Sequence, residues 1–313
     1  MTNLDIYKDI SARTGGAVMI GVVGPVRTGK STFIKRFMEM LVIPNIEDEY
    51  ARERARDELP QSGSGRTIMT AEPKFVPEDA VRIRLGDDTS CMVRFVDCVG
   101  YMVQGASGRF EDGSERLVTT PWFDHEVTMT EAAESGTRKV ICDHSTIGLV
   151  ITTDGSICDI DREAYIEPER RVVSELKSIG KPFVILLNSA QPDSERTIEL
   201  ERQLSAEYEA PCIRVNCQSL TQGDICEIMR KVLGQFPLCE MSIRLPDWFC
   251  AVDCGNEMKS ELYRQLIFAS DCIKSVNDIS QMLTRISELD IVDAAYIESS
   301  DMGSGTINIA IDM

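Results

Sequence analysis

The stretch Val18-Met-Ile-Gly-Val-Val-Gly-Pro-Val-Arg-Thr-Gly-Lys-Ser-Thr32 limits what this chain can fold into more than any other. An apolar run leads into the spacing G-x-x-x-x-G-K-[ST], filled by Gly24, Gly29, Lys30 and Ser31, and Phe33, Ile34, Phe37 and Met38 follow at helical spacing. The pattern predicts a strand, a tight loop and a helix. The glycines let backbone N–H groups approach the phosphates of a nucleotide, and the helix points its positive end at them. Lys30 is expected to reach the β- and γ-phosphates and Ser31 to hold Mg²⁺.

Composition narrows the class. With 313 residues, 43% of them hydrophobic, the chain suggests one large domain plus a smaller one, or two of ordinary size. A net charge of -18 opposes nonspecific binding to nucleic acid or anionic lipid, so no nucleic-acid partner is expected. The 11 cysteines are scattered, several (Cys91, Cys142, Cys212, Cys226) inside apolar runs, and read as reduced core residues. No C-x-x-C occurs, the histidines are His125 and His144, and Cys250 with Cys254 lacks partners at metal-binding spacing. The N-terminus carries Asp5 and Asp9 and no apolar signal core, and no apolar run approaches the roughly 20 residues of a membrane span. A cytoplasmic protein with at most peripheral membrane contact is expected.

In chain order, a short amphipathic helix over 4–13 precedes the first strand, 17–23, and the helix after the phosphate loop runs to about Val42, where Pro44 ends it. Residues 45–79 mix charge with Pro60, Gly63, Gly65, Pro73 and Pro77, the composition of a long loop. Strands over 81–85 and 91–96 read as a hairpin, and a glycine-rich polar stretch over 101–121 follows. Next come a helix over 127–143, a strand over 147–153, a helix bearing Val172, Val173, Leu176 and Ile179, and a strand over 183–187. A helix over 194–208, a strand over 211–215 and a helix with the stripe Ile225 to Phe236 complete the alternation. Alternating strands and helices with continuously apolar strands predict an α/β fold, a mainly parallel sheet covered on both faces. Beyond Pro237 the rhythm changes to a strand over 239–245, a helical region over 257–289 broken near Asn277, and strands over 291–298 and 306–312. This predicts a small α+β module.

Two further segments carry chemistry. Asp97 ends an apolar strand, where a carboxylate reaches Mg²⁺ through water, and Gly100 is placed to offer its N–H to a γ-phosphate. Guanine-nucleotide switches usually carry a water-positioning glutamine after that D-x-x-G, but here Tyr101 follows, which shifts attention to Thr67 and Thr70 in the preceding loop. Guanine-specific relatives also carry N-K-x-D after the fifth strand, its aspartate accepting from N1 and N2 of guanine. This chain has Asn188-Ser-Ala-Gln191 there, so ATP is expected in preference to GTP, with Asn188 kept as a nucleotide contact.

Together these motifs resemble the stage IV sporulation protein A family, coat-morphogenetic ATPases of endospore-forming bacteria. The resembling segments are GVVGPVRTGKSTFIKRFME, DELPQSGSGRTIMTAEPKFVP, VRFVDCVGYMVQGA and EAAESGTRKVICDHSTIGLVITTDGSI. The resemblance implies a P-loop NTPase domain of the GTPase-like (TRAFAC) type over 1–237 and a middle module over 238–313. It implies hydrolysis of ATP with Mg²⁺ coupled to self-assembly into the basement layer of the spore coat. That layer lies around the forespore on the mother-cell side, with other coat proteins as partners. Matching positions extend the ATP contacts to Arg27, Thr28 and Thr32, give Asp97, Ser31 and Thr70 to the metal, and give Thr70 the sensing of the γ-phosphate. The family pattern can carry two adjacent threonines here; the second place is Ala71. Family members are longer at the C-terminus, so the chain is expected to be a fragment, with membrane contact falling to the part it lacks. A GTP-dependent switch and a nonenzymatic nucleotide-binding scaffold are the competing readings.

Overall fold

The structure, a computed structural model, describes residues 17–46, 48–60, 73–84, 90–106, 110–111, 114–236, 238, 240–253, 255–271, 273, 275–301 and 306–313. The helix expected over 4–13 and the threonines Thr67 and Thr70, with Ala71, lie outside these residues. The chain divides into two compact units, one built on Ala17–Ile83 and Met92–Val232, the other carrying Leu233–Met313.

The first unit is organised by a six-stranded sheet. Strands β1 (Val18–Val23), β2 (Lys74–Arg84), β3 (Ser90–Asp97), β8 (Ile147–Thr153), β9 (Phe183–Asn188) and β10 (Cys212–Val215) lie in the order β10-β9-β8-β1-β3-β2. Every residue of β1, β8 and β9 is buried, as unbroken apolar runs require when helices cover both faces. β1 pairs in parallel with β3 on one side (Val22 opposite Asp97) and with β8 on the other (Val23 opposite Val150), and β8–β9 and β9–β10 are parallel too. The C-terminal ends of the central strands therefore converge on one edge, where α1 (Lys30–Phe37) begins. Phe33 and Phe37 of α1 pack edge-on against Phe95 of β3, which fixes that helix on the sheet.

The stretch over 45–79, expected as a loop, contains α2 (Glu49–Asp57) and the beginning of β2. Its charges serve a helix: Glu49 sits in the first turn and Arg54 and Arg56 in the last, where they complement the helix dipole, and Ala55 is buried. Arg52 ties the helix start down through two bonds to the Ile46 carbonyl, at 3.0 and 2.7 Å. β2 starts at Lys74 instead of Val81 and accommodates Pro77 because it is an edge strand, where a missing N–H costs no ladder bond. Arg94 stacks 4.2 Å over the Phe75 ring and donates to the Pro77 carbonyl, holding this early part of the strand. Five residues join β2 to β3, too few for a crossover, so the pair is the expected hairpin.

The polar stretch after Tyr101 carries two short ladders, β4 (Phe110–Glu111) with β5 (Ser114–Glu115) and β6 (Leu117–Val118) with β7 (Val127–Thr128). α3 (Met129–Lys139) starts two residues later than the periodicity suggested, because Thr128 and Glu131 form a capping box, and it ends in a π turn over Val140–His144. α4 (Glu163–Ser178), α5 (Glu195–Tyr208) and α6 (Gln222–Gly234) complete the unit. No helix among the described residues is long and apolar enough to cross a membrane, and Cys98, Cys142, Cys158, Cys212, Cys217, Cys226 and Cys250 are free thiols.

In the second unit β11 (Glu240–Arg244) pairs in parallel, and β12 (Ala294–Asp301) antiparallel, with β13 (Thr306–Asp312). Helices α7 (Asp247–Cys250), α8 (Glu257–Asp271) and α9 (Val276–Ser287) supply Phe249, Leu262, Ile279 and Ile286 to a core closed by Ile307, Ile309 and Ile311. The helical region breaks near Asn277, as expected: α8 ends at Asp271 and α9 begins at Val276, where Ser275 and Asp278 form a capping box. β12 begins three residues later than expected, since Ile291 and Val292 turn into the core.

A buried ion pair locks α4 to the sheet. Arg162 binds Glu169 through Nη1–Oε2 at 2.6 Å and Nη2–Oε1 at 2.8 Å, while Tyr208 of α5 donates to Glu169 at 2.8 Å and Thr152 of β8 donates to the same carboxylate. Removing one member of such a pair strands a buried charge. Arg162→Met should therefore lose about 3–5 kcal/mol in urea denaturation. Arg162→Met combined with Glu169→Gln should recover more than half of that loss, because a neutral amide still accepts from Tyr208.

Candidate nucleotide site

The site lies where β1, β3 and β8 end. The loop leaving β1 turns at Gly24 (φ 138°) and Gly29 (φ 96°), conformations that favour glycine. Space forbids a side chain as well: a Cβ on Gly24 would sit 2.3 Å from the Ile151 carbonyl oxygen, and one on Gly29 would sit 2.3 Å from Asn188 Nδ2. Arg27 holds a left-handed φ of 63° despite its side chain. Thr28 is buried, and its hydroxyl donates to the Pro25 carbonyl at 3.0 Å, closing the loop on itself.

Lys30, the first residue of α1, is 5% exposed, so its ammonium is held inside the loop. It donates to the carbonyls of Pro25 (2.5 Å) and Gly24 (3.3 Å). Burial pushes the Lys30 pKa down, while Cys98 and Asp97 act in the opposite sense. Ser31 Oγ donates to Asp97 Oδ2 at 3.0 Å, joining the loop to the end of β3. The other oxygen, Asp97 Oδ1, is buried and has no hydrogen-bond partner. Burial pushes the Asp97 carboxyl up to about 6, against the pull of Lys30 and of the Ser31 bond.

Lys30, Ser31, Asp97, Gly24, Gly100 and Asn188, singled out in the sequence, thus meet at one place. A Cβ on Gly100 would lie 2.2 Å from the Gly24 carbonyl oxygen and 2.6 Å from Lys30 Nζ, so its backbone borders the lysine directly. Its N–H, expected to face a γ-phosphate, instead donates to Thr137 Oγ1 of α3 at 3.1 Å. Asn188 braces the loop from β9, donating to the Thr28 carbonyl and accepting from the Cys217 N–H, each at 3.0 Å. Thr32 is partly exposed one turn into α1, and Arg27 interacts electrostatically with Tyr165 of α4.

Tyr101 stands apart from the reacting space. It is buried, its hydroxyl donates to Glu175 at 2.5 Å, and Arg171 stacks 4.3 Å over its ring. The backbone beside it pairs with the loop, Val26 N–H donating to the Tyr101 carbonyl at 2.9 Å. Thr137, Glu175 and Arg171 sit mid-helix, where no local sequence pattern marks a residue that reaches another element. Asp154 does carry a local signal: like Asp97 it stands at the end of an apolar strand.

Chemically, the loop offers an ammonium, helix-terminal N–H groups and a hydroxyl beside a recessed carboxylate. Among the described residues no three His, Cys, Asp or Glu converge as a metal cluster. Ser31 Oγ and the Asp97 carboxylate bring hard oxygen donors together, which is chemistry suited to a cation. An orphaned buried carboxylate oxygen fits that purpose, since it gains from a hard cation what the protein does not give it.

A family model described as "Stage IV sporulation protein A, ATPase domain" matches residues 1–237, and one described as its middle domain matches residues 238–313. The first unit is thus an ATPase domain built on a mainly parallel α/β sheet. The chain belongs to the stage IV sporulation protein A family. Proteins named "Stage IV sporulation protein A" are similar to it at 50% identity over 307 residues in Clostridioides difficile (strain 630). The corresponding values are 47% over 309 residues in Bacillus anthracis and 43% over 309 residues in Bacillus subtilis (strain 168). These alignments cover 98–99% of the chain but only 62–63% of each relative. Crystal structures of two mutation variants of SsGBP align over 74% of this chain and 64% of theirs, at 12–13% identity and a TM-score of 0.38.

The recessed carboxylate has a measurable cost. Its pKa in the folded chain lies above the ordinary carboxylate value, so the unfolded chain loses this proton first: Asp97 weakens the ligand-free fold progressively as the pH rises from about 4 to about 6, fully above that, and the weakening vanishes in acid. Asp97→Asn should stabilise the nucleotide-free chain by about 1–3 kcal/mol above neutral pH and leave it unchanged near pH 4, as read by thermal melting across pH.

Proposed function

We propose that this domain is a P-loop NTPase of the GTPase-like type that binds ATP with Mg²⁺ and hydrolyses it. The observation that carries the reading is the convergence of Lys30, Ser31 and the unpartnered Asp97 Oδ1 on the loop that begins α1. The family's domain description, which names an ATPase, agrees with it.

The chain's own residues divide the work. N–H groups at the start of α1 face the phosphates, and Gly24, Arg27, Thr28, Gly29 and Thr32 shape and flank the loop that receives them. Lys30, held inside the loop by the Gly24 and Pro25 carbonyls, is the ammonium that meets the β- and γ-phosphates. Ser31 and Asp97 would hold the metal, which when bound neutralises charge developing on the phosphates. Gly100 N–H is released from Thr137 to meet a γ-phosphate, so the turn after β3 registers whether that phosphate is present. Tyr101, anchored on Glu175, is not available to orient water. The family resemblance supports giving that role to the stretch containing Thr70, with Thr70 sensing the γ-phosphate and contributing to the metal site.

In the full-length protein we assign hydrolysis the role of trigger for self-assembly into the basement layer of the spore coat. The layer would form around the forespore on the mother-cell side, with further copies and other coat proteins as partners. The family name supports a role in sporulation.

The test is phosphate release from ATP and from GTP with Mg²⁺ and with EDTA, beside sedimentation of the full-length protein. ATP should be preferred, and Lys30→Ala should lower turnover by about 10²–10³-fold and abolish nucleotide-dependent sedimentation. A preference for GTP, or assembly untouched when hydrolysis is lost, contradicts the reading.

A further inference from the structure

The turn after β3 is held from two sides by helices that are themselves tied together. On one side the Gly100 N–H donates to Thr137 Oγ1 of α3 at 3.1 Å, and Thr137, fully buried, gives its own proton to the Ala133 carbonyl at 2.7 Å. Its hydroxyl is therefore committed as an acceptor toward Gly100. On the other side Tyr101 donates to Glu175 of α4, and Arg171 of the same helix covers the Tyr101 ring. Arg171 also reaches across to Glu134 of α3, Nη1 to Oε1 at 2.7 Å and Nη2 to Oε2 at 2.8 Å. Glu134 and Thr137 share one face of α3, and Arg171 and Glu175 lie one turn apart on α4. Gly100, Thr137, Glu134, Arg171, Glu175 and Tyr101 thus form a circuit, closed because Gly100 and Tyr101 are adjacent in the chain.

We propose that this circuit is a clasp that a γ-phosphate must open, with Thr137 as the positioning residue that competes with the phosphate for the Gly100 N–H. The inference rests on the nucleotide reading above and adds the regulation of that site. A backbone N–H has one proton to give, so a phosphate oxygen takes it only by displacing the Thr137 hydroxyl. A nucleoside diphosphate has no γ-oxygen to offer and leaves the clasp shut, whereas a triphosphate gains the N–H at the expense of a bond already made. Thr137 therefore lowers the preference for triphosphate and closes the turn again once the phosphate leaves. The Ala133 bond alone would satisfy a buried mid-helix threonine, so the second bond, to a turn bordering Lys30, is what makes the residue a latch. The partly exposed Arg171–Glu134 pair keeps α3 within reach of the turn, and it is where opening at the phosphate reaches the surface of the domain.

The experiment measures the affinities of the purified chain with Mg²⁺ for ADP and for a non-hydrolysable ATP analogue, by calorimetry, in the parent and in Thr137→Val, Thr137→Ser and Arg171→Met. Thr137→Val keeps the shape and removes the acceptor, leaving a buried N–H that a γ-phosphate satisfies. The triphosphate-to-diphosphate affinity ratio should rise about tenfold over the parent. Thr137→Ser restores the hydroxyl and should keep the parent's ratio. Arg171→Met changes a partly exposed residue and should raise the ratio by about threefold, which decides the matter if Thr137→Val does not fold. An unchanged or lowered ratio in folded Thr137→Val or in Arg171→Met, or a Thr137→Ser chain that behaves like Thr137→Val, overturns the inference and leaves nucleotide binding standing. A parent that binds neither nucleotide overturns the nucleotide reading itself, and this inference with it.

Discussion

Three glycine backbones packed closer than any Cβ would permit hold the site together. Gly24 lies against the Ile151 carbonyl of β8, Gly29 against the Asn188 amide of β9, and Gly100 against both the Gly24 carbonyl and Lys30. These contacts draw the ends of four parallel strands to one point, and Lys30, Ser31 and Asp97 meet there because the strands do. Any side chain at these positions would push the lysine or the loop away, so the constraint belongs to the backbone before it belongs to the chemistry.

Much of this was legible because the relevant signals are local. The apolar runs of β1, β8 and β9 announced buried parallel strands, and the spacing from Gly24 to Ser31 announced the loop and the start of α1. Asp97 and Gly100 were recognisable from their place after β3. What failed to show did so for physical reasons. α2 is charged on most of its surface and rests on the Arg52 tie to Ile46, dipole complementarity and one buried alanine, so its composition is that of a loop. β2 tolerates Pro77 only because it lies at the edge of the sheet, which a linear pattern does not state. Thr137 and Glu175 act across space from mid-helix positions, and nothing beside them in the sequence marks the contacts they make with Gly100 and Tyr101.

Two departures from the guanine-nucleotide pattern acquire separate physical meanings. Tyr101 is a packing residue, buried between Glu175 and Arg171, and it anchors the turn after β3 to α4. Gln191 stands on a turn whose backbone is tied to Asp154 through Ser189. The two lie on different strand ends. Asn188 links them, since it braces the phosphate loop from the same turn that carries Gln191. The second unit, with its own core around Phe249, Leu262 and Ile309, adds no metal cluster among its described residues.

The central claim is that Asp97 and Ser31 receive a divalent cation carried with the nucleotide. Electron paramagnetic resonance of Mn²⁺ with ATP, titrated with the purified chain, tests it most directly. The account predicts that the free Mn²⁺–ATP signal disappears as the parent chain is added and persists when Asp97→Asn is added instead. A signal untouched by the parent, or lost equally with Asp97→Asn, would contradict it.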